Sequence, residues 1–396
     1  MPSGLQGRSS PREAPAPDGF RTLVVAGISA RGLAGAACRA GYRPVALDLF
    51  CDQDTRELAA AAAMVRRRGG FSFDSNDFMQ QLTAHAARGL PVVLGSGFED
   101  APELAGRIAR DFEVIGNGAD QLRRLKDPAA LDALLTALAI PHPRLFPGAA
   151  PAGTAALEKR IGGSGGWHVT PAARARGPGW YLQERLAGDP VSVLFLGNGR
   201  RARLVAFSLQ WASPTADAPF RYGGAAGPIA VPAAIAREVA QALDALVAAT
   251  GTVGLMSADL LLTAPGWSLI EINPRPGATL DIFDHPPLPP LLQLHLDACR
   301  GVLPDIAPLV PGAGISAHAA AVLYAPEAIE ISAEPLPAWT ADRPMPGTRI
   351  EANDPLCTVR ASADTAEAAR AAVTEQMDEL WRALLRSRRT ATDQET

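Results

Sequence analysis

Lysine is almost absent from this chain of 396 residues. Of its 37 basic residues only Lys126 and Lys159 are lysine, and the rest are arginine. Lysine is ordinarily among the commonest residues. A GC-rich genome explains the depletion, since it drains lysine codons and enriches Ala, Arg, Gly and Pro. The two survivors are either idle surface residues or positions where arginine does not serve. An excess of one charge sign is also lacking. The formal net charge is −4, which leaves no basic footprint for nucleic acid. No run of about 18 uncharged apolar residues occurs, so no transmembrane helix is expected. Cysteine is scarce: Cys38, Cys51, Cys299 and Cys357 form no C-x-x-C pair. That argues against a zinc or dithiol redox motif and suits reduced thiols in a cytoplasm. The first 20 residues are rich in Pro, Ser and Arg and lack an apolar h-region. They read as a disordered tail, not a signal peptide.

What is present divides into three parts, as the length suggests. A β-branched, apolar run at Thr22–Val25 leads into the turn Gly27-Ile28-Ser29-Ala30-Arg31-Gly32, a helical pattern to Ala40 and a second strand at Pro44–Leu49. This β–turn–α–β unit opens a doubly wound sheet. Helices are expected over 56–68, 76–88 and 102–110, with strands at 91–94 and 112–115. A dinucleotide fingerprint would need a second glycine in the turn, so a tight strand-to-helix turn is the better reading, although Asp48 stands where a ribose acid would. A helix over 120–139 carries Lys126 and is stopped by Pro141 and Pro143. Strands follow at 156–161, 180–185, 191–196 and 202–209. A Gly/Pro-rich loop is expected over 213–228, a helix over 232–250, and strands at 255–263 and 267–272. Short strands, turns and a closing helix at 365–385 complete the chain.

Three strings carry chemistry. The first runs from Ser257 to Gly277 and reads as a β-hairpin turning at 264–266. Glu271 and Asn273 share one face of its second strand, and a register centred on the turn brings Asp259 opposite them. Two carboxylates and an amide oxygen make a hard, oxygen-only set suited to Mg²⁺; a solvated hairpin face is the bland alternative. Arg275 follows directly, a planar cation suited to phosphate or a developing oxyanion. The second string, Glu158-Lys159-Arg160-Ile161-Gly162-Gly163-Ser164-Gly165-Gly166, puts a lysine on a strand before a glycine turn. Backbone N–H groups and an ammonium there can surround phosphates, though a flexible linker has equal standing. It is not a Walker A loop. The third, Trp180 to Pro190, is a strand ending in polar residues and is nonspecific alone.

Taken in order, these strings resemble the ATP-grasp superfamily over about residues 22–298, most specifically at Glu271-Ile272-Asn273-Pro274-Arg275. The resemblance implies a pre-ATP-grasp α/β domain (21–120) after the tail (1–20). An ATP-grasp fold of two α+β lobes follows (121–300, lid lobe about 145–187), then a small mixed C-terminal section (301–396). It implies that Lys126 and Lys159 contact ATP phosphates under a mobile lid of Gly162, Gly163, Ser164, Gly165 and Gly166. Gln183, Glu184 and the backbone of Leu186 would form the adenine hinge. Asp259, Glu271 and Asn273 would hold two Mg²⁺, with Mn²⁺ as a substitute, and Arg275 would steady an acyl phosphate. Two departures stand out. The usual ribose acid position is Pro190, which leaves Asp189 as the substitute. A position that is often basic is Ser257.

Trp339 to Thr348 and Pro355 to Val359 look like the terminal section of the carboligase-like group related to tyramine–glutamate ligase of methanofuran-type cofactor synthesis. The function implied is an ADP-forming carbon–nitrogen ligase in the cytoplasm. It would join a carboxylate, glutamate being the first candidate, to an amine through an acyl phosphate. The partners would be small molecules, with neither nucleic acid nor membrane, and a homodimer is compatible. Glu99, after Gly95-Ser96-Gly97-Phe98, His168 beside the lid and Arg221 in the 213–228 loop are further candidate substrate contacts. The alternatives are a bicarbonate-using carboxylase of the same fold, a nucleotide-binding protein without catalysis, and a dehydrogenase.

Overall fold

The computed structural model describes residues 21–264, 266–312 and 314–394, with side chains to residue 386. The tail expected over 1–20 lies outside these residues. The first sheet is all parallel. Its spatial order is Ala61–Met64, Tyr42–Asp48, Arg21–Ala26, Pro91–Leu94, Glu113–Val114. Both faces are covered, as its continuous apolar strands require. The helix Arg31–Arg39 packs Leu33, Ala34 and Ala37 on one face. Ser75–His85 and Pro102–Ile108 bring Phe78, Leu82, Leu104 and Ile108 to the other. Strand order reverses between Arg21–Ala26 and Pro91–Leu94, and ligands of such sheets sit outside the carboxyl ends at that reversal. The turn at Gly27 is structural. The Asp48 carboxylate accepts N–H bonds from Ala30 (2.9 Å), Phe50 (3.0 Å) and Cys51 (2.5 Å), so it ties two turns together.

The helix expected over 56–68 is only Gln53–Leu58. The alanines beyond it form the strand Ala61–Met64, and a small hairpin of Arg67–Gly69 and Ser72–Phe73 follows. Pairing to the sheet edge, from Val45↔Ala61 to Asp48↔Met64, overrides alanine's helix preference. The helix expected over 120–139 is two helices, Ala119–Lys126 and Pro128–Ala137. Asp127 caps the second through Ala130 N–H at 2.7 Å, with Pro128 in its first turn. The break leaves Lys126 at a helix end.

A four-stranded antiparallel sheet follows, ordered Thr170–Pro171, Ala156–Arg160, Trp180–Glu184, Leu145–Phe146. The largest sheet has eight strands, ordered Trp267–Asn273, Val253–Leu262, Asp189–Asn198, Ala202–Ala212, Tyr222–Gly227, Ala317–Tyr324, Pro355–Ala363, Thr340–Ala341. The 213–228 segment therefore holds a central strand where a loop was expected. Its glycines make room for a neighbour: a Cβ on Gly224 would meet the Trp211 ring at 2.4 Å. The strands expected in a separate C-terminal section complete this same sheet, and the helix Ala366–Gln394 covers them with Ala369, Val373 and Leu380. Helix Ala233–Thr250 packs Val239, Leu243 and Leu246 over the hairpin end. Leu280–Phe283 and Leu291–Cys299, unforeseen in the sequence, fill the space between the two large sheets. Among the described residues no helix is long and apolar enough to cross a membrane.

Candidate active site

A cleft of about 1060 Å³ opens between the first sheet, the four-stranded sheet and the eight-stranded sheet. The acidic hairpin forms its floor. Asp259 pairs with Glu271 and Ser257 with Asn273, with a register shift just after Asp259. The carboxylates thus face each other, as the spacing predicts. Asn273 Nδ2 donates to Asp259 Oδ2 at 3.1 Å, and Gln210 Nε2 donates to Asp259 Oδ1 at 3.1 Å. The Lys126 ammonium donates to Glu271 Oε1, and to Asn273 Oδ1 at 3.2 Å. Asn117 pins the hairpin's base: its amide donates to Val253 O and Pro274 O and accepts from Val253 N–H, each at 2.9 Å.

The charges are strongly coupled. Burial, then the Glu271 charge, push the Asp259 carboxyl above its ordinary value. Burial would do the same to Glu271, but Lys126, with help from Lys159 and His168, brings it below. Lys159 is 7% exposed, and its Nζ donates to Gln183 Oε1 at 2.6 Å. Burial lowers its ammonium, while Glu271 and Asp259 oppose that. Among the described residues no group of three His, Cys, Asp or Glu is placed to hold a metal. The candidate set is two carboxylates and an amide oxygen. It fits a hard divalent cation on two grounds: facing carboxylates repel unless a cation lies between them, and Lys126 already supplies one to Glu271 and Asn273.

The glycine turn roofs the cleft. Gly162, Gly165 and Gly166 have φ of +70°, +67° and +70°. Gly165 O accepts from Tyr222 N–H at 2.9 Å. A Cβ on Gly166 would lie 1.9 Å from Phe220 O. His168 lies against Gly163 and lines the cleft, and burial holds its ring near pKa 4, so it is neutral at pH 7. At the stretch expected to form the adenine hinge, Glu184 is held by a forked ion pair with Arg144 (2.8 and 2.9 Å), and Gln183, Glu184 and Leu186 line the cleft. Asp189 does not line it. It is exposed at the start of its strand, beside cleft-lining Gly188 and Pro190.

Two further candidates have roles different from those expected. Glu99 lies behind the cleft wall with a side chain 1% exposed. It accepts from Arg275 Nε at 2.7 Å and from Gly97 N–H at 2.7 Å. Burial would raise its carboxyl, but Arg275 and Lys126 hold it at about 2. It therefore orients Arg275, which lines the cleft. Arg221 is spent on structure. It donates to Ser213 O (2.8 Å) and Asn353 O (3.2 Å) and stacks on Tyr324 at 3.7 Å. Gln210, Asn117 and the aromatic far end of the cleft escaped the sequence reading. Strand alternation would have found Gln210, while Asn117 carries no local signal.

Residues 131–279 match the family model of the ATP-grasp domain. The fold is ATP-grasp. Solved ATP-grasp structures resemble nearly the whole chain at low identity. N5-carboxyaminoimidazole ribonucleotide synthetase from Thermotoga maritima is 13% identical, with TM-score 0.62, over 91% of this chain and 98% of that one. Phosphoribosylamine–glycine ligase from the same organism is 16% identical, with TM-score 0.64, over 91% and 96%. Biotin carboxylase from Campylobacter jejuni, solved as a β,γ-ATP complex, is 11% identical, with TM-score 0.66, over 89% of each chain. No curated protein matches this chain.

Proposed function

We propose that this chain is an ADP-forming ATP-grasp ligase that joins a carboxylate to an amine through an acyl phosphate. One observation carries the reading: both surviving lysines, the Asp259–Glu271–Asn273 set and Arg275 converge in a single cleft under a glycine roof. Phosphoryl transfer demands positioning and charge neutralisation more than covalent help. Lys126 and Lys159 would meet the phosphates of ATP, with its base at Glu184 and Leu186. Asp259, Glu271 and Asn273 would hold Mg²⁺, which supplies Lewis-acid neutralisation of phosphate oxygens when bound. Arg275, aimed by Glu99, would steady the acyl phosphate and the oxyanion formed as the amine attacks. The glycine roof would keep water from hydrolysing that intermediate. Glutamate as the carboxylate and a methanofuran-type pathway rest on the resemblance of the C-terminal strings alone.

The test is phosphate release from MgATP across pairs of amines and carboxylates, with product analysis. The expected outcome is turnover that requires both partners and yields an amide. A carboxylated amine would mean bicarbonate chemistry instead. Glu271→Gln should lower turnover at least 100-fold with the melting temperature kept near the parent's. Full activity in that variant would sink the metal assignment.

A further inference from the structure

The oxygens assigned to the divalent ion are already engaged by the protein. Glu271 Oε1 accepts from the Lys126 ammonium, and Asn273 Oδ1 accepts from the same nitrogen at 3.2 Å. The second contact sets the direction of the amide. With Oδ1 turned to Lys126, Asn273 Nδ2 faces Asp259 Oδ2 at 3.1 Å. The other Asp259 oxygen, Oδ1, accepts from Gln210 Nε2 at 3.1 Å. Lys126 thus sits on two of the three side chains proposed as metal ligands, and through Asn273 it reaches the third.

An ammonium and a divalent ion do not share these oxygens. Mg²⁺ takes oxygen ligands at about 2.1 Å, and Lys126 Nζ is 3.2 Å from Asn273 Oδ1. An ion on that oxygen would therefore lie no more than about 5 Å from the nitrogen, inside the ~4–6 Å range over which like charges strongly disfavour each other. Lys126 has the means to move. It is the last residue of Ala119–Lys126, and Asp127 ends that helix and caps the next. It lines the cleft, and a lysine carries one compact charge on a flexible four-carbon stem. Lys159 is placed differently. Its Nζ donates to Gln183 Oε1 at 2.6 Å, an acceptor outside the ligand set.

We propose that Lys126 is a built-in competitor of the divalent ion: its ammonium holds Glu271 and Asn273 until the phosphates of the nucleotide draw it away. The inference rests on the ligase reading for the identity of the metal ligands and of the phosphate anchor, and deepens it by giving the site an order of assembly. Before nucleotide arrives, Lys126 neutralises the facing carboxylates. Once phosphates arrive, the same charge serves them, and the freed oxygens take the ion. Metal alone therefore binds weakly.

The test is a titration of the nucleotide-free full chain with Mn²⁺ at pH 7.5, read from the electron paramagnetic resonance of the free ion. Lys126→Met, which keeps the stem and removes the charge, should bind Mn²⁺ at least tenfold tighter than the parent. Lys126→Gln should show the same gain and stands in for it if the first variant does not fold. Lys159→Met removes an equal charge from the same cleft and should change Mn²⁺ affinity less than threefold. Unchanged or weaker binding in the Lys126 variants, or an equal gain in Lys159→Met, would overturn the proposal. The chain has two lysines, so ¹³Cε-lysine labelling gives two NMR signals. The β,γ-imido analogue of ATP, added without metal, should shift that of Lys126, and an unmoved signal would overturn its displacement. None of these readouts needs turnover. The expected Mn²⁺ pattern without ATP turnover would overturn the ligase reading and leave the competition standing, while turnover with equal Mn²⁺ affinity in parent and variants would do the reverse. Absence of Mn²⁺ binding in every variant would remove the metal assignment and the competition together.

Discussion

Lys159 Nζ reaches one acceptor, Gln183 Oε1, on the wall of the cleft. A guanidinium there would replace one compact ammonium by a rigid planar fork of five donors. Lys126, with a side chain 7% exposed, holds Glu271 and Asn273 with a similarly compact charge. Codon drift that replaces lysine elsewhere would be resisted at both positions. Lys126→Arg and Lys159→Arg keep the charge, and each should lower phosphate release from MgATP at least tenfold while thermal denaturation stays near the parent's. Full activity in both would return the pair to coincidence. Lys159 and the Asp259, Glu271, Asn273 and Arg275 set were legible in the sequence because each belongs to a short string with its own chemistry, whereas Lys126 stands out only through the family resemblance. Asn117 was not legible there, because its partners Val253 and Pro274 come from elsewhere in the chain.

At the scale of elements, the glycine roof depends on close backbone approach. Gly166 combines φ of +70° with a virtual Cβ only 1.9 Å from Phe220 O. A methyl group there meets rigid backbone, so the turn cannot dock on the 220–222 segment as it does now. Gly166→Ala should weaken MgATP turnover at least tenfold and speed proteolytic cleavage near residue 166, with the melting temperature lowered by no more than a few degrees. Unchanged turnover and cleavage would remove the roof from the mechanism. Elements were readable where local pattern and tertiary role agree, as in the acidic hairpin and the strand at Pro91–Leu94. They were misread where a distant partner decides. The alanines of Ala61–Met64 become strand because an edge is waiting for them, and Tyr222–Gly227 becomes strand because its glycines seat Trp211.

Across the whole molecule, two buried ion-pair systems join parts that are distant in sequence. Arg31 from the first sheet's helix binds Asp281 and Asp342, so three sections meet on one guanidinium. Glu99, beyond the parallel sheet, holds Arg275 at the end of the acidic hairpin. Opposing burial, their cationic partners hold the carboxyls of Glu99 and Asp342 at about 2. A carboxyl depressed on folding adds stability above its ordinary value, 4.5 for Glu99 and 3.8 for Asp342, and that stability is lost as pH falls toward the folded value. Glu99→Gln strands Arg275 beside a neutral amide. At pH 7 it should cost about 3 kcal/mol, the scale for breaking one partner of a buried pair. Between about pH 4.5 and pH 2 the parent's own Glu99 takes up a proton, so the gap between parent and variant should close. His168 and His295 are both buried neutral near pKa 4, and they add acid sensitivity to parent and variant alike. The difference between the two cancels it. Thermal denaturation of both proteins from pH 7 to pH 3 measures that difference, and a gap that stays constant over the range would show that the Glu99 charge does not join the hairpin to the first sheet.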